Sequence, residues 1–282
     1  MKLIMTLLVR DLADIVAANI EYHLLRGVDH IIVMDNGSVD ETSSIVASYA
    51  RGGRVTLIDQ PNDDYDQAAW VSEMARIAWS MGADWVINDD ADELWWPQRG
   101  GLKSVLARVP AEYGALSVPR TNMLPLHELR GHPFEQMVIR DVASVNGLGR
   151  PLAPKAVHRA APHVQVSPGN HSVVAPGLGP PLATDEILIF HYPHRSYEQL
   201  ERKIATGGAA VARNTRAPES VYDVWRELYK LYRAGRLRDW YDALPHADDP
   251  ALDERIAAGM VARDERVAEY MRSMVLPLVA AV

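Results

Sequence analysis

With 282 residues, 48% hydrophobic and 23% charged, the chain is long enough for one large domain or two small ones and has material for a sizeable core. Its net charge of −8 argues against a general nucleic-acid binder, which needs a Lys/Arg surplus on the face that meets phosphate. Cysteine is absent, which excludes disulfides, thiolate metal sites and cysteine nucleophiles, so any metal must be held by oxygen or imidazole.

The apolar run Leu3 to Val9 is closed by Arg10 and Asp11 with no small-residue cleavage pattern, so it reads as a strand rather than a signal peptide, and a cytoplasmic location is expected. Ile15, Ala18, Tyr22 and Leu25 recur at helical spacing and predict a helix from about Leu12 to Arg26, stopped by Gly27. His30 to Met34 is a second strand. Ser38-Val39-Asp40-Glu41 reads as a capping box opening a helix to about Ala50. Val55 to Ile58 is a third strand, Asp66 to Met81 a helix and Asp84 to Asn88 a fourth strand.

This alternation predicts an α/β fold with a mainly parallel sheet flanked by helices, Rossmann-like in its layering. Farther on, Leu102 to Val109 reads as a short helix, Ala115 to Pro119 and Ile187 to Phe190 as strands, and Asn122 to Pro180 as strand and loop packed over the sheet. Ser196-Tyr197-Glu198-Gln199 is a second capping box, opening a helix to about Gly207. Val221 to Ala234 and Leu252 to Met274 are expected to be helical. The division is residues 1–210 as one domain, its halves about 1–100 and 101–210, followed by a helical C-terminal extension over 211–282. The apolar end, Met274 to Val282, is too short to span a bilayer, which takes roughly 20 residues, but suits peripheral membrane contact or a homodimer.

Chemistry concentrates after the fourth strand, where Asp89, Asp90, Asp92 and Glu93 follow one another. Ligands of open α/β sheets bind beyond the carboxyl ends of the strands. Crowded carboxylates repel, by about 4 kcal/mol for two charges 4 Å apart at an effective dielectric of 20. A hard divalent cation, Mg²⁺ or Mn²⁺, relieves that repulsion; a solvated acidic turn is the plain alternative. After the second strand, Asp35-Asn36-Gly37-Ser38 offers a carboxylate and an amide to a nucleoside, although turn chemistry explains much of that motif.

Taken together, Arg10-Asp11, Tyr22-His23 with Gly27-Val28-Asp29, Asp35-Asn36-Gly37-Ser38-Val39-Asp40, Asp90-Ala91-Asp92-Glu93 and His191-Tyr192-Pro193-His194-Arg195-Ser196 resemble glycosyltransferase family 2 enzymes of the GT-A fold, in a bacterial branch. The likeness covers about residues 3–210. It implies that Asp90 and Asp92 are the acids of an Asp-x-Asp signature holding a divalent metal against a sugar-nucleotide diphosphate. It also implies that Asp35 and Asn36, with Arg10 and Asp11, address the nucleoside. Leu12 stands where many relatives carry an acid, which weakens the parallel at Arg10-Asp11.

Alongside the resemblance, His191 is expected as a third metal ligand, and Asp89, Lys155, His171, Arg195 and Lys203 on the donor side. Trp95 and Trp96 are expected beside the acceptor, since aromatic faces stack on sugar rings. An inverting transfer needs a carboxylate base; Glu128, Glu135 and Asp141 follow the acidic motif, and Glu135 and Asp141, with Asp92, are taken as the catalytic acids. The expected activity is inverting transfer of a sugar, hexosyl-like, from a UDP-, GDP- or dTDP-linked donor to a glycan, lipid-linked or small-molecule acceptor. A sugar nucleotidyltransferase is the nearest rival, but the first strand lacks a Gly-rich phosphate loop; a non-catalytic nucleotide- or carbohydrate-binding protein is another.

Overall fold

The computed structural model describes residues 1–215, 218 and 220–280. It begins as the alternation demands: β1 Leu3–Val9, α1 Val16–Leu25, β2 His30–Asp35, α2 Thr42–Arg51, β3 Val55–Asp59, α3 Gln67–Ser80 and β4 Trp85–Asp90. There follow β5 Glu93–Pro97, α4 Leu102–Leu106, β6 Ala115–Val118, β7 Arg120–Asn122, α5 Pro133–Gln136, β8 Ile139–Asp141 and β9 Lys155–Arg159. The short β10 Gln165–Val166 and β11 Val173–Val174 form a hairpin, and β12 Pro181–Ala183 and β13 Ile187–His191 complete this part. The rest comprises α6 Tyr197–Lys203, α7 Ala209–Arg213, α8 Asp223–Arg233, α9 Leu237–Asp242, α10 Leu252–Ala257, β14 Val261–Arg263, α11 Arg266–Tyr270 and α12 Leu276–Val279.

The main sheet has the order β12-β6-β9-β4-β1-β2-β3. Strands β4, β1, β2 and β3 run parallel, whereas β9 is antiparallel to both β4 and β6. Parallel strands covered on both faces must be apolar throughout, and β1 obeys: Leu3, Met5, Leu7 and Val9 face a core shared with α1 and α2, while Ile4 faces a second core with Trp70, Val71 and Met74 of α3. Within the layer, Thr6 and Asn88 are register partners, and the Thr6 hydroxyl donates to Asn88 Oδ1 at 2.9 Å. A second sheet, β5-β13-β7, stands against the end of the first.

Two sequence expectations change and one holds. Ser38 does not cap α2: its hydroxyl donates to Asp35 Oδ1 at 2.6 Å and accepts the Asp11 N–H at 3.0 Å, while Asp40 Oδ1 accepts the Thr42 N–H at 2.9 Å where the helix begins. The long helix expected over Leu252 to Met274 is interrupted, because α10 ends at Gly259, whose φ of +68° suits glycine, and β14 then pairs antiparallel with β8. The extension is therefore helical around one strand. Ser196 does cap α6, accepting the Gln199 N–H at 3.2 Å, and the helix continues through a π turn, Ile204–Gly208, into α7.

The C-terminal run is tied to the main core through Met271 and Val275, leaving Met274 and Leu278 exposed; Ala281 and Val282 lie outside the described residues. Among the described residues no helix is long and apolar enough to cross a membrane.

Candidate active site

The register of β4 against β1 sets Asp89 and Asp90 opposite Leu7 and Leu8, at the carboxyl end of the parallel strands. In the second sheet His191 pairs with Glu93 of β5 on one side and Asn122 of β7 on the other. Antiparallel β9 carries Lys155 to the acids, and the last turn of α6 carries Lys203. Asp90, Asp92, Asn122, Lys155, His191 and Lys203 border a cleft of about 1190 Å³, with Asp89 and Glu93 buried behind them.

Asp90, Asp92 and Glu93 each meet a cation. Asp92 Oδ2 lies 3.0 Å from Lys203 Nζ. Burial pushes the Asp92 carboxyl up, but Lys203 foremost, together with His191 and Arg195, outweighs it and holds the group well below the usual carboxylate range. Lys155, almost wholly buried, contacts Asp90 Oδ2 and lies 3.2 Å from Glu93 Oε1, which Arg120 Nη1 also reaches at 2.8 Å. Burial raises the Glu93 carboxyl, with Lys155 and Arg120 opposing. Asp90 Oδ1 further accepts from Asn170 Nδ2 at 3.2 Å and Gln67 Nε2 at 3.4 Å.

His191 is poised differently. Its Nδ1 is 2.7 Å from the side-chain Oδ1 of Asn122 and therefore carries the hydrogen. Burial holds the imidazole well below its ordinary pKa, so at neutral pH Nε2 is a lone pair, and it lies 3.8 Å from Asp92 Oδ1. Two acceptors converge there with no hydrogen between them. This arrangement fits a divalent cation, with Asn122 fixing the ligand tautomer. Asp90 does not join it: among the described residues these three do not form a ligand group, because Lys155, Asn170 and Gln67 draw Asp90 to the β9 side.

At the other end of the cleft, Asp11 takes a φ of +52°, rare for a residue with a side chain, and its Oδ1 accepts the Val39 N–H at 2.8 Å. The Asn36 amide is held by the carbonyls of Gln60 and Asn62, at 3.0 and 2.5 Å.

Of the residues singled out in the sequence, Arg10, Asp11, Asn36, Asp90, Asp92, Lys155, His171, His191, Arg195 and Lys203 border the cleft. Others do not. Asp35 turns its Oδ1 to the Ser38 amide and hydroxyl. Asp89 is fully buried behind the site, accepting from Trp95 Nε1 at 2.7 Å and Asn19 Nδ2 at 3.1 Å, and burial, with Glu93 adding to it, pushes its carboxyl well above the ordinary value. That bond places Trp95 in the core rather than beside an acceptor. Trp96 packs between the Arg26 guanidinium and Phe190 and likewise leaves the acceptor space.

The expected bases move too. Glu135 pairs with Arg272 at 2.8 Å, Asp141 accepts the Ala143 N–H at 3.2 Å from the β8 edge, and Glu128 pairs with Arg130 at 2.8 Å; none borders the cleft. Arg195 does border it, but its buried guanidinium grips Asp14 with two bonds, of 2.7 and 3.1 Å.

Sequence reasoning missed Asn122, Arg120, Asn170 and Asp14. A signal existed for one: Gly169-Asn170, both at positive φ, is a turn built to present a side chain, and it presents Asn170 to Asp90 while His171 Nδ1 bonds the Pro154 carbonyl at 2.8 Å. Burial brings the His171 imidazole down to about 4.

Carboxylates, lysines and a neutral imidazole at the carboxyl end of a parallel sheet, around a cleft of this volume, define an α/β ligand-binding enzyme centre. Within that class the chain belongs to glycosyltransferase family 92, whose family model matches residues 8–206. The resemblance to family 2 therefore holds at the coarser level of a glycosyltransferase.

Among solved structures the chain is similar to S. aureus TarS 1-349, at 12% identity over 92% of each chain with a TM-score of 0.43. The same protein in complex with UDP matches at 14% identity over 92% of each chain with a TM-score of 0.40. GalNAc-T7 with UDP, GalNAc and Mn²⁺ matches at 10% identity over 99% of this chain and 57% of that one, with a TM-score of 0.41. Likenesses this remote identify neither donor nor ion. No curated protein matches the chain significantly.

Proposed function

We propose that this family 92 member moves a sugar, with inversion, from a nucleoside-diphosphate donor to a glycan, lipid-linked or small-molecule acceptor, with Mn²⁺ or Mg²⁺ held by Asp92 and His191. The observation that carries the reading is the convergence of Asp92 Oδ1 and His191 Nε2, 3.8 Å apart, beside Lys203 in the cleft. Departure of a nucleoside diphosphate builds negative charge on phosphate oxygens, and a bound divalent ion supplies Lewis-acid neutralisation worth several kcal/mol.

The chain's own residues do the rest. Lys203 and Lys155, each now spent on an acid, offer ammonium groups that a diphosphate can share. Asn122 keeps the His191 hydrogen on Nδ1, leaving Nε2 to face the ion. Arg10, Asp11 and Asn36 line the nucleoside end, and His171 the wall near Lys155. Asp89, through Trp95 and Asn19, holds the loop that presents Asp90 and Asp92. The proton acceptor for inversion is sought among the carboxylates that border the cleft.

The test is a thermal-shift screen of nucleoside diphosphates with and without Mn²⁺, joined to turnover of a panel of nucleotide sugars. Metal-dependent stabilisation by one diphosphate, lost together with turnover in Asp92→Asn, is the expected result. A hundredfold excess over the dissociation constant stabilises by about 2.7 kcal/mol. Diphosphate binding indifferent to Mn²⁺ and to Asp92 would overturn the metal assignment. Tight donor binding without turnover on any acceptor would favour a binding protein on the same fold.

A further inference from the structure

A second constellation lies where the C-terminal extension meets the catalytic domain. His127, His246 and Asp249 bring one ligand atom each to within 4.8 Å of one another, and none of the three borders the cleft. His246 is buried at 1% exposure, and its Nδ1 must carry the hydrogen because its 2.8 Å partner is the Leu244 carbonyl. Its Nε2 is left buried without any hydrogen-bond partner. His127 is fixed the same way: Nδ1 bonds a carboxylate oxygen of Asp248 at 2.8 Å, and Nε2 lies 3.8 Å from Asp249 Oδ1. Asp249 spends its other oxygen on the His246 backbone N–H at 2.8 Å, so Oδ1 stays turned to His127.

A buried acceptor left without a donor is destabilising, and here two imidazole nitrogens and a carboxylate oxygen gather in one place. We propose that His127, His246 and Asp249 bind a divalent transition ion of the zinc class. Two imidazoles and one carboxylate, with water in the open position, are a donor set zinc accepts, and the Asp248 carboxylate behind His127 and the Leu244 carbonyl behind His246 are the outer partners that orient such ligands. The two rings are stacked, with centroids 4.0 Å apart and a 22° tilt. A tilt of the exposed His127 ring about its Nδ1 bond to Asp248 would bring both lone pairs onto one ion and keep that outer partner.

The site would clamp two segments already in contact. The Ala247 N–H donates to the Pro125 carbonyl at 2.7 Å, and Leu124, Ile139, Ala247 and Val261 share a small core beneath it. From His127 the chain runs directly into Leu129 and Gly131 to Pro133, a wall of the cleft, so the clamp would steady that wall from outside.

Zinc alone is the probe, titrated into the full chain after chelator treatment, with calorimetry and elemental analysis as readouts. The wild type and Asp92→Asn are expected to retain one Zn²⁺ at this site. His127→Ala and Asp249→Asn, checked for folding by circular dichroism, should bind it at least about tenfold more weakly, since loss of even an outer partner costs 10–100-fold. Zinc binding unchanged in both of those variants, lost only in Asp92→Asn, or missing from the wild type would overturn the proposal. Because Asp92→Asn separates the two sites, failure here leaves the reading of the cleft standing.

Discussion

Replacing Lys155 with methionine keeps the length of a buried side chain and deletes its charge, leaving Glu93 to Arg120 and Asp90 to the amides of Asn170 and Gln67. A buried pair broken on one side costs about 3–5 kcal/mol when the stranded charge has no escape. Glu93 has one, since burial already raises its carboxyl and it can take up a proton. At 1.36 kcal/mol per pKa unit, protonating a group of ordinary pKa 4.5 at pH 7 costs about 3.4 kcal/mol, which caps the charge penalty there. At pH 5 the same escape costs only about 0.7 kcal/mol.

The sign follows from linkage. A carboxyl whose folded pKa is raised binds more protons folded than unfolded, so stability falls as pH climbs from the unfolded value toward the folded one. Urea denaturation of Lys155→Met against wild type should show a deficit of about 3 kcal/mol at pH 7 that shrinks to about 1 kcal/mol at pH 5. A deficit equal at both pH values, or below about 1 kcal/mol at pH 7, would refute the placement of Lys155 between the buried Glu93 and the partly exposed Asp90.

Other expectations follow from the same geometry. Asp92→Asn should fold, yet lose both turnover and Mn²⁺-dependent stabilisation by a diphosphate, as measured by thermal shift. Trp95→Phe strips the donor from Asp89 and should cost about 2–3 kcal/mol in urea while leaving the acceptor KM of the folded enzyme unchanged, whereas a raised acceptor KM would restore a role beside the acceptor. Asp14→Asn strands the buried guanidinium of Arg195, and should lower stability by about 1–2 kcal/mol, discounted because Asp14 is 43% exposed; Arg195→Met should recover part of the loss in the double variant.

The layered half of the fold was legible because parallel strands covered on both faces must be mostly apolar, and β1, β2 and the first half of β4 are, with Asp35, Asp89 and Asp90 gathered at their carboxyl ends. Residues after such strands must sit at the ligand edge, so Asp90 and Asp92 could be placed without a partner in view. What the chain order hides is who meets them. Arg120, Asn122 and Lys155 arrive by pairings of β7 and β9 across stretches of sequence dominated by loop, and no local periodicity reports such long-range register. Trp95 was misread because an indole following an acidic motif looks available to a sugar, whereas its N–H serves the buried Asp89. The Leu252 to Met274 stretch was misread because one positive-φ glycine, Gly259, outweighs a good helical composition on either side.

The row formed by Glu93, His191 and Asn122 across the second sheet bears on how this chain can vary. Two groups of the cleft, His191 and Asn122, and the buried Glu93 behind them are spaced by backbone pairing, so deleting or inserting one residue in β5, β7 or β13 would turn the affected side chain to the opposite face of the sheet. Length changes should be poorly tolerated over 93–97, 120–122 and 187–191. The loop over 142–152 holds Asn122 through Ser144 and Val145 and closes through a Val145–Pro151 bridge, so length changes fit best at its 146–150 tip, altering what the mouth of the cleft admits while the row behind it keeps its spacing.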